Sequence, residues 1–516
     1  MNLSVSPVPT ADWSDDPIVT TGPDEAAITQ DRLEQRLLSV SMPAPEIDAL
    51  SLLRATTHDQ RFYWADPMRD GGCGDVFAGS GVAAELLTAP LLDGLAVNGV
   101  NRFAAIREQV GRLFAGSVHQ IMTDLTGSNL TSAPADHPAR PRLFGGFAFS
   151  PEFVPDNTWS VFHPAHFILP HFQFALVDGK PWLTINALSA DDEALEDAAA
   201  SLLEALTAGY EMLRAGVMHA SGVSPNHSPT KTSPTVRYPM TREQWALMVT
   251  LATQAVADGD LAKVVLARAA EVRRRQPLNP LSLLMCLGSD YANSYRFLFE
   301  PVRDHFFLGA TPELLVSLRD DFFQSMALAG SIGRGDTPAE DAVLADQLLT
   351  SAKDRHEHAL VSDAVRARLE PISAEVSVLA NPTVLTLRNI QHLLTPVEGR
   401  LVDRTQTDVL ALVELLHPTP ALGGVPVDRA LAFLAAAEPV PRGWYAAPIG
   451  WLDRNLDGAF AVAIRSAVCQ HERAWLYAGA GIVRDSEPQR EWDETELKFK
   501  TMLNVITGAD DHDERA

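Results

Sequence analysis

The segment YRFLFEPVRDHFFLGATPELLVSLR, residues 295–319, decides the fold. Within it YRFLFEP, FFLGATP and ELLVSLR each read as a strand, rich in aromatic and β-branched residues and bounded by Pro, Gly and Asp. The grouping continues outward. Upstream, ALMVTLATQAVADG reads as a helix ending near a C-cap at Gly259, and KVVLARAAEVRR, opening at Lys263, reads as another strand. Downstream, AEDAVLADQLLTSAKDRHEHALVSDAVRARLEP supplies two helices, followed by further strands in GAFAVAIRSAVC and AWLYAGAGIV. Strands in runs and helices in runs predict an α+β fold rather than a doubly wound βαβ sheet.

Two bodies of sequence, about 46–219 and 238–508, are separated by ASGVSPNHSPTKTSPTVR, which reads as a loop or linker over 220–237. Residues 1–45, rich in Pro, Asp, Ser and Thr, and the acidic end at 509–516 read as flexible tails. In the first body RLFGGFAFS reads as a Gly-broken strand, and HFILPHFQFALVDG followed by PWLTINAL as a hairpin. No repeat relates the bodies.

With 46% hydrophobic and 21% charged residues the chain can bury a large core. No apolar run is long enough and free enough of charge to span a bilayer, and MNLSVSPVPTADWSDDP lacks the basic flank and apolar core of a secretion signal. The three cysteines, Cys73, Cys286 and Cys469, are scattered, so no disulfide frame or thiolate metal site is expected. These features predict a reduced, cytoplasmic protein. A formal net charge of −25 disfavours nucleic acid and anionic membranes as partners. A small anionic substrate stays possible if an Arg, a Lys or a divalent cation supplies a local positive centre.

Carboxylates in two helices invite such a cation. In REWDETELKFK, residues 490–500, Glu491, Glu494 and Lys498 share a face bordering the apolar row Trp492, Phe499, Met502 and Ile506. In SAKDRHEHALVSDAVRA, Asp354 and Glu357 begin a stripe that runs on into Val361, Ala364 and Val365. Either helix alone reads more readily as a solvated acidic face paired with Lys353 or Lys498. Both together point inward, and inward carboxylates must be paired or bind a metal. Oxygen ligands without a His/Cys cluster suit Mg²⁺.

Two cations lie on apolar strands. Lys263 stands at a strand start, where snorkelling to solvent is the ordinary reading. Arg465 is expected mid-strand, sharing a face with Ala461, Ala463 and Ala467, opposite Val462, Ile464 and Val468. Gly479 and Gly481 in AGAGIV offer backbone that a ligand could approach. Phosphate-binding loops, dinucleotide fingerprints, HExxH and GxSxG are missing from the sequence.

The words KVVLAR (263–268), FLGATPELLVS (307–317), LAGSIGRG (328–335), SAKDRHEH (351–358), IQHLLTPVEGRL (390–401), LHPTPALGG (416–424), PRGWYAAPIGW (441–451), AGAGIV (478–483) and SEPQREWDETELK (486–498) occur in one order over about half the chain. In them the second body resembles the chorismate-utilising enzymes, and within these most closely the isochorismate synthases. The first body resembles the family less sharply, at RLFGGFAF (142–149) and HFILP (166–170).

The resemblance implies one large domain of two packed antiparallel sheets with helices outside, often monomeric, binding chorismate and Mg²⁺ in a cleft. It implies Glu357 and Glu494 as metal ligands, with Asp354 and Glu491 behind them through water. Lys498 would meet a substrate carboxylate. Arg465, Tyr445, Gly479 and Gly481 would grip the pyruvyl side, Gly330 and Ser331 would line the ring, and His392 would fall in the pocket. The implied reaction is attack of water on C2 with loss of the C4 hydroxyl. Lys263 would be the general base, needing its amine form although an ordinary Lys titrates near about 10.4, and Glu313 the general acid, needing a raised pKa. Amine-forming relatives typically carry Gln at the position of Lys263, and aminodeoxychorismate synthases a Lys at the position of Ala329; both differences disfavour an amine product. Salicylate synthases usually carry Thr at the position of Ala421, so Ala421 favours stopping at isochorismate. Salicylate formation, a non-catalytic chorismate-binding module and a metal-free hydrolase using Glu313 are the alternatives.

Overall fold

The three strands of the 295–319 segment do not stay in one sheet. In the computed structural model, which describes residues 35–68, 74–89, 101–123, 129–190, 194–220 and 234–508, Tyr295–Val302 and His305–Thr311 form a hairpin in a 14-stranded sheet. Leu314–Arg319 instead pairs with Gly458–Val462 and Phe322–Gly333 in a 10-stranded sheet. The chain crosses at Pro312, which has no N–H with which to continue a ladder. A second crossing lies alongside, because Gly458–Val462 belongs to the small sheet and the next strand, Ser466–Gln470, to the large one. The first body crosses too, at Pro170, between Ala165–Leu169 and Phe172–Val177. Phe172–Val177 then forms the expected hairpin with Lys180–Ala190.

Both bodies of sequence contribute to both sheets. Arg61–Ala65 pairs with Tyr295–Val302, and Arg142–Phe147 with Pro448–Asp453. The fold is therefore the expected α+β architecture in a single domain, with one departure from antiparallel pairing among the described residues: Gln35–Pro43 runs parallel to Val118–Met122.

Strand alternation explains the core. Phe297, Phe299 and Phe307 point to one side of the large sheet and join Val316, Phe323 and Phe460 of the small sheet. Leu298, Phe306 and Leu308 point to the other side and meet Phe499, Met502 and Ile506 of the helix Pro488–Thr507. Both faces of this sheet are covered, so its strands read as nearly unbroken apolar runs. Each such side chain contributes about 1.5–3 kcal/mol by leaving water.

Two boundaries need correction. Residues 35–43, expected within a tail reaching to 45, form a strand paired with Lys180–Ala190 and buried over most of its length. The polar alternation of Ser39 and Ser41 hides it, because these hydroxyls are buried on Asn186, Thr184 and His119. The end of the expected 220–237 loop, Thr235–Arg237, is an edge strand on Lys263–Arg273; most of the rest of that loop, like the tails at 1–34 and 509–516, lies outside the described residues. Among the described residues no helix is long and apolar enough to cross a membrane.

Candidate active site

The two neighbouring crossings each carry a buried charged residue. Glu313 follows Pro312 at the first, and Arg465 stands at the second with φ of 51°, a left-handed backbone that no strand interior has. Arg465 is thus not mid-strand as the alternation suggested, and the Ala461/Ala463/Ala467 face does not exist as one surface. The crossings are tied together: Val462 N–H donates to Glu313 O at 2.9 Å, and Ala310 N–H to Arg465 O at 3.1 Å. A joint between two sheets lets both side chains turn into the space between them. Glu313 is 3% exposed. Burial pushes its carboxyl up to about 8, although Lys263, Arg465 and Lys498 all pull it down. At neutral pH it holds its proton.

Arg465 also organises a relay. Its Nη2 donates to His392 Nε2 at 3.1 Å, which leaves Nδ1 to carry the ring proton toward Ser331 Oγ at 3.0 Å and Gly330 O at 3.2 Å. Burial first, and then the Arg465 and Lys498 charges, keep this imidazole neutral, well below its ordinary pKa. The pairing of Phe322–Gly333 with Ile390–Leu401 slips between Ala329 and Ser331, so Gly330 bulges out at φ +77°. A Cβ there would lie 3.2 Å from Asp354 Cβ, so the bulge also lets the helix Ala352–Leu369 approach.

That helix starts on Ser351, whose hydroxyl caps the N–H of Asp354 and bonds its Oδ2 at 2.5 Å. It buries His358, Val361, Val365 and Leu369, which directs Asp354 and Glu357 to the edge of the core. The helix Pro488–Thr507 buries Glu491 together with Trp492, Phe499 and Met502. The reading of these carboxylates as a solvated face is corrected by their partners. Lys263 Nζ lies 2.9 Å from Glu357 Oε1, and Lys353 Nζ 2.9 Å from Glu491 Oε1. Lys498 Nζ lies 2.5 Å from Glu494 Oε1 and donates to Gly479 O at 2.7 Å.

Burial would raise Glu357, but the Lys263 ammonium and its hydrogen bond, with Lys498 and Lys353, hold it below the usual range. Glu491 is raised by burial and by Glu494, and Asp354 by burial and then by the Glu357 and Glu494 charges. Four carboxylates thus face three ammonium groups, which leaves a residual negative charge. Among the described residues no group of three or more His, Cys, Asp or Glu is gathered closely enough to hold an ion by itself. Glu357 and Glu494 offer carboxylate oxygens of the kind that would suit Mg²⁺ if water and an anionic ligand completed its shell.

Glycines let these side chains pack closely against the strand. A Cβ on Gly481 would lie 2.2 Å from Glu357 Oε1 and 2.9 Å from Lys263 Cε, so a side chain there would push that ion pair out of this position. A Cβ on Gly479 would lie 3.3 Å from the Tyr445 hydroxyl. Tyr445 is buried, stacks on Tyr477 at 5.2 Å and is pushed up to about 12 by burial, so it remains a hydrogen-bond donor. Ala421 joins the site through the backbone: it sits on a turn closed by Gly423 N–H to Thr419 O, and Val265, two residues after Lys263, donates to Gly423 O at 3.0 Å.

Three features escaped the sequence reading. Lys353 pairs across the two helices rather than along its own. His358, next to Glu357, fixes the helix by bonding Thr395 Oγ1 at 2.7 Å and Ala329 O at 3.2 Å. Arg442 bonds Leu422 O and Val265 O while gripping Glu438, itself the acceptor of Ala267 N–H, and so bolts the Ala421 turn to the Lys263 strand. Only the last had a visible signal, the i, i+4 spacing of Glu438 and Arg442.

Known proteins are similar to this chain over most of its length. The chain is 35% identical over 494 residues to the salicylate biosynthesis isochorismate synthase of Pseudomonas aeruginosa, covering 94% of each protein. It is 34% identical over 372 residues to the isochorismate synthase MenF of Bacillus subtilis, covering 71% of this chain and 75% of that one. The structure of MenF, the menaquinone-specific isochorismate synthase of Escherichia coli, superposes with a TM-score of 0.68 at 26% identity, covering 92% of this chain and 94% of that one. The profile of one family, described as chorismate binding enzyme, matches residues 24–507, a span that takes in every side chain of the site, and to that family the chain belongs.

Proposed function

We propose that this protein is an isochorismate synthase, converting chorismate to isochorismate with Mg²⁺. The observation that carries the reading is a protonated carboxyl, Glu313, buried within the fields of Lys263, Arg465 and Lys498, with the Lys263–Glu357 pair packed against Gly481. An exchange of hydroxyl position needs one group to take a proton from the attacking water and another to give one to the departing hydroxyl.

Lys263, 1% exposed at the start of its strand, takes the proton from water at Nζ when it is in its amine form. Glu313 delivers its proton to the leaving C4 oxygen, and its raised pKa is what loads it for that task. Arg465 and Lys498 each offer a cation to a substrate carboxylate, and Tyr445 offers a hydroxyl proton. The neutral His392 holds the Arg465 guanidinium in place and ties it to Ser331. Glu357 and Glu494, with Asp354 and Glu491 behind them, would hold Mg²⁺, which would supply positive charge to the substrate's ring carboxylate. The reading includes a monomer working in the cytoplasm.

Incubating the purified protein with chorismate, with and without Mg²⁺, and identifying the product tests the assignment. Isochorismate formed only with Mg²⁺ is expected. Salicylate with pyruvate would replace the reading by salicylate formation, and no turnover would leave a binding module.

A further inference from the structure

Of the three lysines that neutralise the carboxylates, Lys263 and Lys498 have tasks in the proposed reaction and Lys353 has none. Its position is specific. It stands on the first turn of the helix that carries Asp354 and Glu357, and it crosses to Glu491 on the other carboxylate helix at 2.9 Å. Glu491 is 1% exposed, so its charge has no water to fall back on, while the Lys353 side chain is 29% exposed and could have turned to solvent. Among the described residues this is the one ion pair that joins the two helices, since Lys263 reaches Glu357 from a strand and Lys498 pairs along its own helix. The Lys353 charge is also felt by Glu357 and Glu494, the two carboxylates assigned to the cation.

We infer that Lys353 is a built-in competitor of the divalent cation: it staples the helices Ala352–Leu369 and Pro488–Thr507 through Glu491 and weakens binding of the free ion between them. The inference rests on the Mg²⁺ reading above and deepens it. A resident ammonium beside the carboxylates does two things at once. It removes the repulsion that would otherwise push the helices apart, and it opposes any second cation by like charge. The ion is then held firmly only once an anionic substrate adds its own carboxylate, which keeps the pocket from filling with a cation that no substrate follows.

The test is calorimetric titration of the full-length protein with MgCl₂ in the absence of substrate, comparing the wild type with Lys353→Met, Lys353→Gln and Lys353→Arg. Lys353→Met and Lys353→Gln should bind Mg²⁺ on the order of tenfold more tightly, since a unit positive charge that acts on Glu357 and Glu494 is removed. Lys353→Arg, which keeps the charge, should stay within about twofold of the wild type. Melting in EDTA should show both neutral variants less stable than the wild type, with Mg²⁺ restoring them. Unchanged or weaker Mg²⁺ binding in the neutral variants overturns the inference and leaves the metal reading intact. No Mg²⁺ binding by any form, with or without chorismate, overturns the metal reading and the inference with it. Two neutral variants of different polarity keep the result readable if one of them fails to fold.

Discussion

Glu313→Gln separates the general-acid assignment from a merely structural role. The carboxyl sits at about 8 rather than its ordinary 4.5 because it is buried between the sheets. At about 1.4 kcal/mol per pH unit, that difference corresponds to about 5 kcal/mol of stability. The sign follows from where the proton is held. Below about pH 4.5 the group is protonated both folded and unfolded and contributes no pH dependence. Between there and about pH 8 the unfolded chain has ionised while the folded one has not, so the wild type loses stability steadily as pH rises. Gln keeps the shape, cannot ionise, and is spared this loss. Urea unfolding across the range should therefore show the variant gaining on the wild type by a few kcal/mol between about pH 5 and about pH 8. Over the same range its turnover should be lower by on the order of 10²–10⁴, because it has no proton to give. In the wild type kcat/KM should fall as pH rises through about 8, where the acid is lost. A stability difference that is flat with pH, or near-normal turnover by the variant, would refute the argument.

Lys263→Ala should lose turnover on the order of 10²–10⁴-fold in a chorismate assay and leave Glu357 unpaired, with Mg²⁺ recovering part of the lost melting temperature. Gly481→Ala should cut kcat at least about tenfold with an unchanged circular-dichroism spectrum, because its Cβ would meet Glu357 Oε1 and displace the Lys263 pair; full activity would make that pair dispensable. Arg465→Met should raise KM by about tenfold to a hundredfold, the range for loss of a charged hydrogen bond, measured by initial rates at saturating Mg²⁺. EDTA should abolish product formation and added Mg²⁺ should restore it; turnover that survives exhaustive chelation would remove the metal from the reaction.

Local pattern was legible wherever one element decides the outcome. The 3.6-residue spacing that puts Glu491, Glu494 and Lys498 on one face, and Asp354 and Glu357 on another, is a property of the helix alone, and both faces lie where the pattern put them. The grouping of strands around 295–319 likewise announced α+β, since it depends on chain order and not on partners. The strand at Gln35–Pro43 was illegible because its serines find buried partners more than seventy residues away, so a polar appearance conceals a core element.

What tertiary structure alone decided is which charge meets which. Sequence spacing allowed Lys353 and Lys498 to serve their own helices, and Lys498 does so, but Lys353 reaches Glu491 across the cleft and Lys263 reaches Glu357 from a strand. The same holds for Arg465: alternation treats GAFAVAIRSAV as one strand, yet the segment changes sheets at that residue, because Gly458–Val462 and Ser466–Gln470 find partners in different sheets. Periodicity records which way a side chain leaves its own backbone. It carries no record of which distant backbone arrives opposite, and the chemistry of a buried charge depends on that arrival.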